Sequence, residues 1–85
     1  MMHLVMAVRD SASECYMRPF VTTSKGLAMR SFGDEVVRPE SDFHKHPHDF
    51  ILFHLGAYDD VTGMLEALAA PEQVARAIDY LEVIQ

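Results

Sequence analysis

The segment from His46 to Gly63 constrains this chain more than any other, because its pattern demands a strand followed by a tight reversal. Phe50 to Tyr58 carries two interleaved apolar sets. Phe50 and Leu52, with His54, lie on one side, and Ile51, Phe53, Leu55 and Ala57 lie on the other. A strand apolar on both sides is central and covered on both faces, or is covered on one and dimerised on the other. Asp59, Asp60, Thr62 and Gly63 then supply turn chemistry: Asp bonds its own backbone, and Gly accepts positive φ. Met64 to Leu68 returns as the second arm of a hairpin.

The rest of the chain is read around that hairpin. Leu4 to Val8 is a short apolar run that Arg9 and Asp10 end, a buried strand. Ser11 to Arg18 is polar and reads as loop. Pro19, Phe20 and Val21 look extended, since the residue before proline avoids the α region and Val favours β. Thr22, Thr23 and Ser24 are N-cap candidates for a helix whose apolar face is Leu27, Ala28, Phe32 and Val36. Gly33 inside that helix costs about 1 kcal/mol against Ala, which suggests a neighbour passing closely. Arg38-Pro39 ends it, and Glu40 to His48 is a polar loop.

Pro71 and Glu72 open a second helix, with proline in the first turn and a carboxylate at the positive dipole end. Its buried stripe is Val74, Ala77, Ile78, Leu81 and Ile84. The expected fold class is α+β: a β-α-β-β-α domain spanning residues 1–85, with a three-stranded antiparallel sheet packed with two helices.

Eighty-five residues make one small domain. No apolar run approaches the roughly 20 residues that span a bilayer, and the first residues lack the basic start of a signal peptide. One cysteine, Cys15, excludes an internal disulfide and fits a reducing setting. The net charge of −6 argues against strong non-specific attraction to nucleic acid. That deficit is uneven, however. Residues 1–45 hold six basic and six acidic side chains, whereas residues 46–85 hold one basic and seven acidic. A polyanion would therefore meet the first half.

Catalytic signatures are absent: no phosphate-binding glycine loop, HExxH or GxSxG occurs, so the expectation is a non-enzyme without cofactor. His44, His46 and His48 beside Asp49 invite a metal. Pro47 interrupts that loop and no cysteine cluster accompanies it, so solvated histidines are the preferred reading. Asp59 and Asp60 serve a turn better than acid–base chemistry, and His54 reads as packed with a backbone partner. The remaining candidate is cationic. Arg18, Lys25 and Arg30 flank Phe20 and the Thr22–Ser24 cap, where unpaired N–H groups and cations could hold phosphate. Phe20 or Tyr16 could stack on an unpaired base. Taken alone, these residues are better described as a core phenylalanine with solvating charges, and that plainer reading is preferred.

Four separated segments together resemble the small non-structural protein of gokushovirus-type microviruses, bacteriophages with small circular single-stranded DNA genomes. They are Val8-Arg9-Asp10 with Ala12; Pro19-Phe20; Gly26-Leu27-Ala28-Met29-Arg30-Ser31-Phe32; and His46 to Gly63, the match ending near Pro71. The resemblance implies a DNA-binding or non-structural accessory of single-stranded genome synthesis or packaging, in the host cytoplasm. On it, Arg9 joins Arg18, Phe20, Lys25 and Arg30 as candidate DNA contacts. Expected partners are single-stranded DNA, the phage replication initiator or a host replication protein, and a second copy of the chain. The rival reading is a protein–protein adaptor that touches the replication initiator or a host protein through its apolar sheet face, contacts no nucleic acid, and turns its acid-rich second half to a basic partner.

Overall fold

The computed structural model describes residues 1–82. Eight elements follow in chain order: β1 (Met2–Asp10), β2 (Cys15–Tyr16), β3 (Phe20–Thr22), α1 (Lys25–Val36), α2 (Asp42–Lys45), β4 (Phe50–Asp59), β5 (Leu65–Arg76) and α3 (Ala77–Glu82). The fold is α+β, and its antiparallel sheet has five strands rather than three. β1 and β4 are central, β5 lies outside β4, and β2 and β3 both pair with the far side of β1. The strand at Phe50 is thus central, as expected, but the helices cover only the side that carries Phe50 and Leu52.

The additional strands come from short pieces without periodicity. Cys15–Tyr16 folds back onto Arg9 and Asp10 across a turn in which Glu14 takes a positive φ of 61°. Phe20–Thr22 pairs with Leu4 to Met6. Two or three residues are too few for alternation to register, and pairing with β1 alone makes them strands.

Helix α1 forms as expected. Ser24 caps it, its side chain accepting from the Leu27 amide at 3.2 Å. Ala28, Phe32 and Val36 fall at i, i+4 and i+8 and are buried, whereas Leu27 is exposed. The expected polar loop contains a helical turn, α2, capped by the buried Ser41. That turn carries Phe43 against Phe32 and Phe50, with ring centroids 5.6 and 4.5 Å apart. An aromatic amid polar neighbours has no periodicity to reveal it, but its burial stabilises the turn.

The expected helix from Pro71 is corrected. Strand β5 runs on through Pro71 to Arg76, and α3 begins only at Ala77. Helix-favouring Leu-Glu-Ala-Leu-Ala-Ala is drawn into the sheet by β4, since pairing overrides propensity. Proline is tolerated because β5 is an edge strand. Register also jumps, from Gly56↔Ala67 to His54↔Glu72, so Pro71 lies in a stretch without a directly opposed β4 residue. Val74 is consequently a strand residue, while Ala77 is fully buried and Leu81 packs against the core. Ile84 lies outside the described residues.

Side chains of all three helices join Met6, Val8, Phe50 and Leu52 in one cluster on a single side of the sheet. The turn after β4 is built as read: Gly63 has φ 77°, its amide donates to the Asp59 carbonyl at 2.8 Å, and the Asp59 side chain accepts from the Val61 amide. Beyond it the β4–β5 arm projects. The radius of gyration is 13.4 Å and the extents are 44 × 24 × 19 Å, against about 12 Å for a compact chain of this length.

Candidate nucleic-acid interface

Phe20 organises the candidate site. Strand β3 places it opposite Met6 at the edge of β1, where it remains 38% exposed. Two adjoining depressions share its ring as a wall. One holds Arg18 with Met17, Phe32 and Phe43; the other holds Arg30 with Val21 and Leu27. Arg30 reaches this position because α1 turns its outer face toward β3, and Arg18 because Pro19 directs the chain into β3. Both arginines are exposed, and among the described residues neither has a carboxylate within salt-bridge distance. Carboxylates are not far away. Asp34 lines the Arg30 depression, and Glu35 lines the Arg18 depression with its own oxygens engaged by Arg38 at 2.6 and 3.3 Å. The Arg38 guanidinium, followed by Ser41, holds the Glu35 carboxyl below its ordinary range.

Lys25 stands apart from this group. Its ammonium meets Glu72 of β5 at 2.7 Å, and that ion pair lowers the Glu72 carboxyl. Glu72 also lies 3.9 Å from His54 Nδ1, while His54 Nε2 donates to the Gly56 carbonyl at 2.9 Å. His54 therefore has the backbone partner expected of it. The Ser24 hydroxyl is already spent on capping α1.

Arg9 lies on the opposite side of the sheet. Its guanidinium carbon sits 6.0 Å from the Tyr16 ring centroid, and Tyr16 meets Phe53 edge-on at 5.5 Å. Of the five candidates, then, the fold gathers Arg18, Phe20 and Arg30, ties Lys25 to a carboxylate and sends Arg9 elsewhere. Sequence reasoning passed over Glu72 and Phe53. Phe53 was within reach, since strand alternation puts it with Ile51 and away from the core residues Phe50 and Leu52.

The histidines do not form a group. His44 Nδ1 donates to the Val36 carbonyl at 3.0 Å, satisfying the end of α1, whereas His46 and His48 are exposed. Among the described residues no three His, Cys, Asp or Glu side chains are arranged to hold a metal. Asp60 accepts from the Met1 ammonium at 2.7 Å and contacts His3 Nε2 at 2.8 Å, so both turn aspartates have structural work. No helix among the described residues is long and apolar enough to cross a membrane.

The family described as phage ORF5 protein matches residues 3–80, which takes in every strand but for Met2 of β1, and most of α3. The chain belongs to the phage ORF5 protein family. Membership brings the Phe20 depressions, the Tyr16–Phe53 pair and the projecting arm all within the matched region of an ORF5 domain. No curated protein and no solved structure matches the chain.

Proposed function

We propose that this phage protein is a non-enzymatic accessory of single-stranded DNA genome replication or packaging, acting in the host cytoplasm by holding single-stranded DNA. The observation that carries this reading is the pair Arg18 and Arg30 flanking a half-open Phe20 ring, with no salt-bridge partner on either guanidinium among the described residues. Two cations around an exposed aromatic suit a phosphate–base–phosphate step of an unpaired strand. Family membership supports the phage setting. The resemblance to gokushovirus-type proteins supports the single-stranded genome.

The overall charge of −6 predicts modest affinity. Occupancy would then depend on high local concentration of protein on the displaced strand. Anisotropy titration of a labelled oligonucleotide tests this: affinity should fall steeply with salt, and Arg18→Ala or Arg30→Ala should weaken it further. A salt-independent affinity, or no binding at tens of micromolar, would sink it.

One feature favours the adaptor as a second reading. Val61 is 80% and Leu65 70% exposed on the projecting arm, beside exposed Met64. Apolar side chains massed at a hairpin tip suit a protein partner or a second copy of the chain.

A further inference from the structure

Charge is segregated across the two faces of the sheet. Strand β1 is regular, because the irregularity in its pairing with β4 skips Leu55 and leaves β1 continuous. Its even-numbered residues, including buried Met6 and Val8, therefore share the helix-covered side. All four carboxylates carried by the strands fall on that side. Asp10 belongs to the even set itself, Asp59 is opposite Met2, Glu66 reaches Leu4 through Ala57, and Glu72 reaches Met6 through His54. The two strand cations fall on the other side: Arg9 is opposite Ile51, and Ile51 is opposite Arg76. Arg76 is held by Asp79 of α3 at 2.7 Å.

The uncovered face is thus free of strand carboxylates in a protein with thirteen acidic residues. Toward its β2 edge Tyr16, 41% exposed, and the half-buried Phe53 meet at an interplanar angle of 69°. Rings at that angle do not close on each other as a parallel stack, so ring surface is left for a third planar group. Arg9 stands beside them over Tyr16.

We infer that this face is a base-stacking platform for single-stranded DNA, in which Tyr16 and Phe53 receive nucleobases and Arg9 meets the adjoining phosphate. The inference rests on the reading of the protein as a single-strand binder and gives it a second site, across the sheet from Phe20. Every base has a π-face, so such a platform is sequence-tolerant. Arg9 stands beside the two rings, on a face whose strands carry no carboxylate and whose only acids among the described residues, Asp60 and Asp79, are engaged by His3 and Arg76. That favours a polyanion over a basic protein as the occupant.

The test uses the full chain with two labelled ligands: an oligothymidylate of about 12 nucleotides, matched to common single-strand site sizes, and an abasic strand of equal length. Tyr16→Leu should weaken the oligothymidylate by about 5- to 100-fold and leave the abasic strand unchanged. Arg18→Ala, by contrast, should weaken both. In the unsubstituted chain, ring protons of Tyr16 and Phe53 should shift upfield as oligothymidylate is added, a readout that needs no variant to fold. Binding by the unsubstituted chain with those signals unmoved and Tyr16→Leu indifferent would overturn the platform while leaving DNA binding intact. No binding of either strand would overturn both. Solution mass showing an oligonucleotide-independent dimer with both rings buried would also overturn it, assigning the face to a second copy.

Discussion

The Tyr80 ring packs directly against Gly33: a Cβ built at position 33 would stand 2.6 Å from Tyr80 Cε1 and 2.8 Å from Cδ1. The ring is not free to retreat. Its hydroxyl donates to the Met29 carbonyl at 3.1 Å, and it meets Phe32 edge-on at 5.7 Å. Burial, followed by Asp79, pushes the phenol pKa up and keeps it a neutral donor.

Gly33→Ala should therefore destabilise the protein although Ala is the better helix former. The propensity gain is about 1 kcal/mol, against about 1–3 kcal/mol for overpacking, and the lost Tyr80 hydrogen bond adds to the loss. Urea unfolding should show a net decrease. In a Tyr80→Ala background the same substitution should turn neutral or favourable, and an unchanged loss there would break the connection.

Gly56 should be less forgiving. A Cβ there would overlap the Glu66 carbonyl oxygen, a backbone atom that cannot rotate away. Gly56→Ala should cost about 3 kcal/mol and should raise amide exchange along the β4–β5 arm before the core. A uniform rise in exchange would argue against a local origin.

Glu72→Gln should increase affinity for single-stranded DNA. It releases Lys25 and removes a carboxylate near α1. If Lys25 then meets a phosphate, the salt slope should steepen by about 0.7. Affinity and slope both unchanged would remove Lys25 from the interface for good.

Acid should loosen the arm. The Val61 amide is the main cause of the low Asp59 pKa, and the Met1 ammonium followed by His3 lowers Asp60. Groups depressed in the folded state stabilise it fully above their ordinary pKa of 3.8. That contribution disappears as pH falls through the folded values. Both carboxylates are open to solvent, so the effect is small. The thermal midpoint should stay flat from pH 7 to about 5 and then decline, and Asp59→Asn with Asp60→Asn should flatten part of the decline.

Val61→Asp with Leu65→Asp should leave the unfolding free energy unchanged, within about 0.5 kcal/mol, because neither side chain belongs to the core. If the arm joins copies of the chain, sedimentation should show a lower mass than for the unsubstituted protein. Equal mass at all concentrations would direct the arm to a different partner.

Much of the framework was legible in the chain. Ser24 capping a helix with Ala28, Phe32 and Val36 inside, the central strand at Phe50 and the Asp59–Gly63 turn all follow from local chemistry. The close neighbour implied by Gly33 is Tyr80. β2 and α2 were not legible, since elements of two to four residues carry no period; Phe20 and Val21 were legible as extended chain, but their pairing with β1 was not. The candidate site was readable only in part: Arg18, Phe20 and Arg30 converge, but Lys25 is neutralised by a residue 47 positions away.

The sequence by itself determined what lies within about one turn of helix or one hairpin: caps, turn residues, alternation and the helical stripe of α1. Tertiary structure alone decided that Leu65–Arg76 is strand, that Glu72 holds Lys25, and that strand acids and strand cations part to opposite sides of the sheet. The physical reason is register. A strand's side chains are sorted to one face or the other by which partner residue each opposes, and that assignment is made between segments distant in the chain.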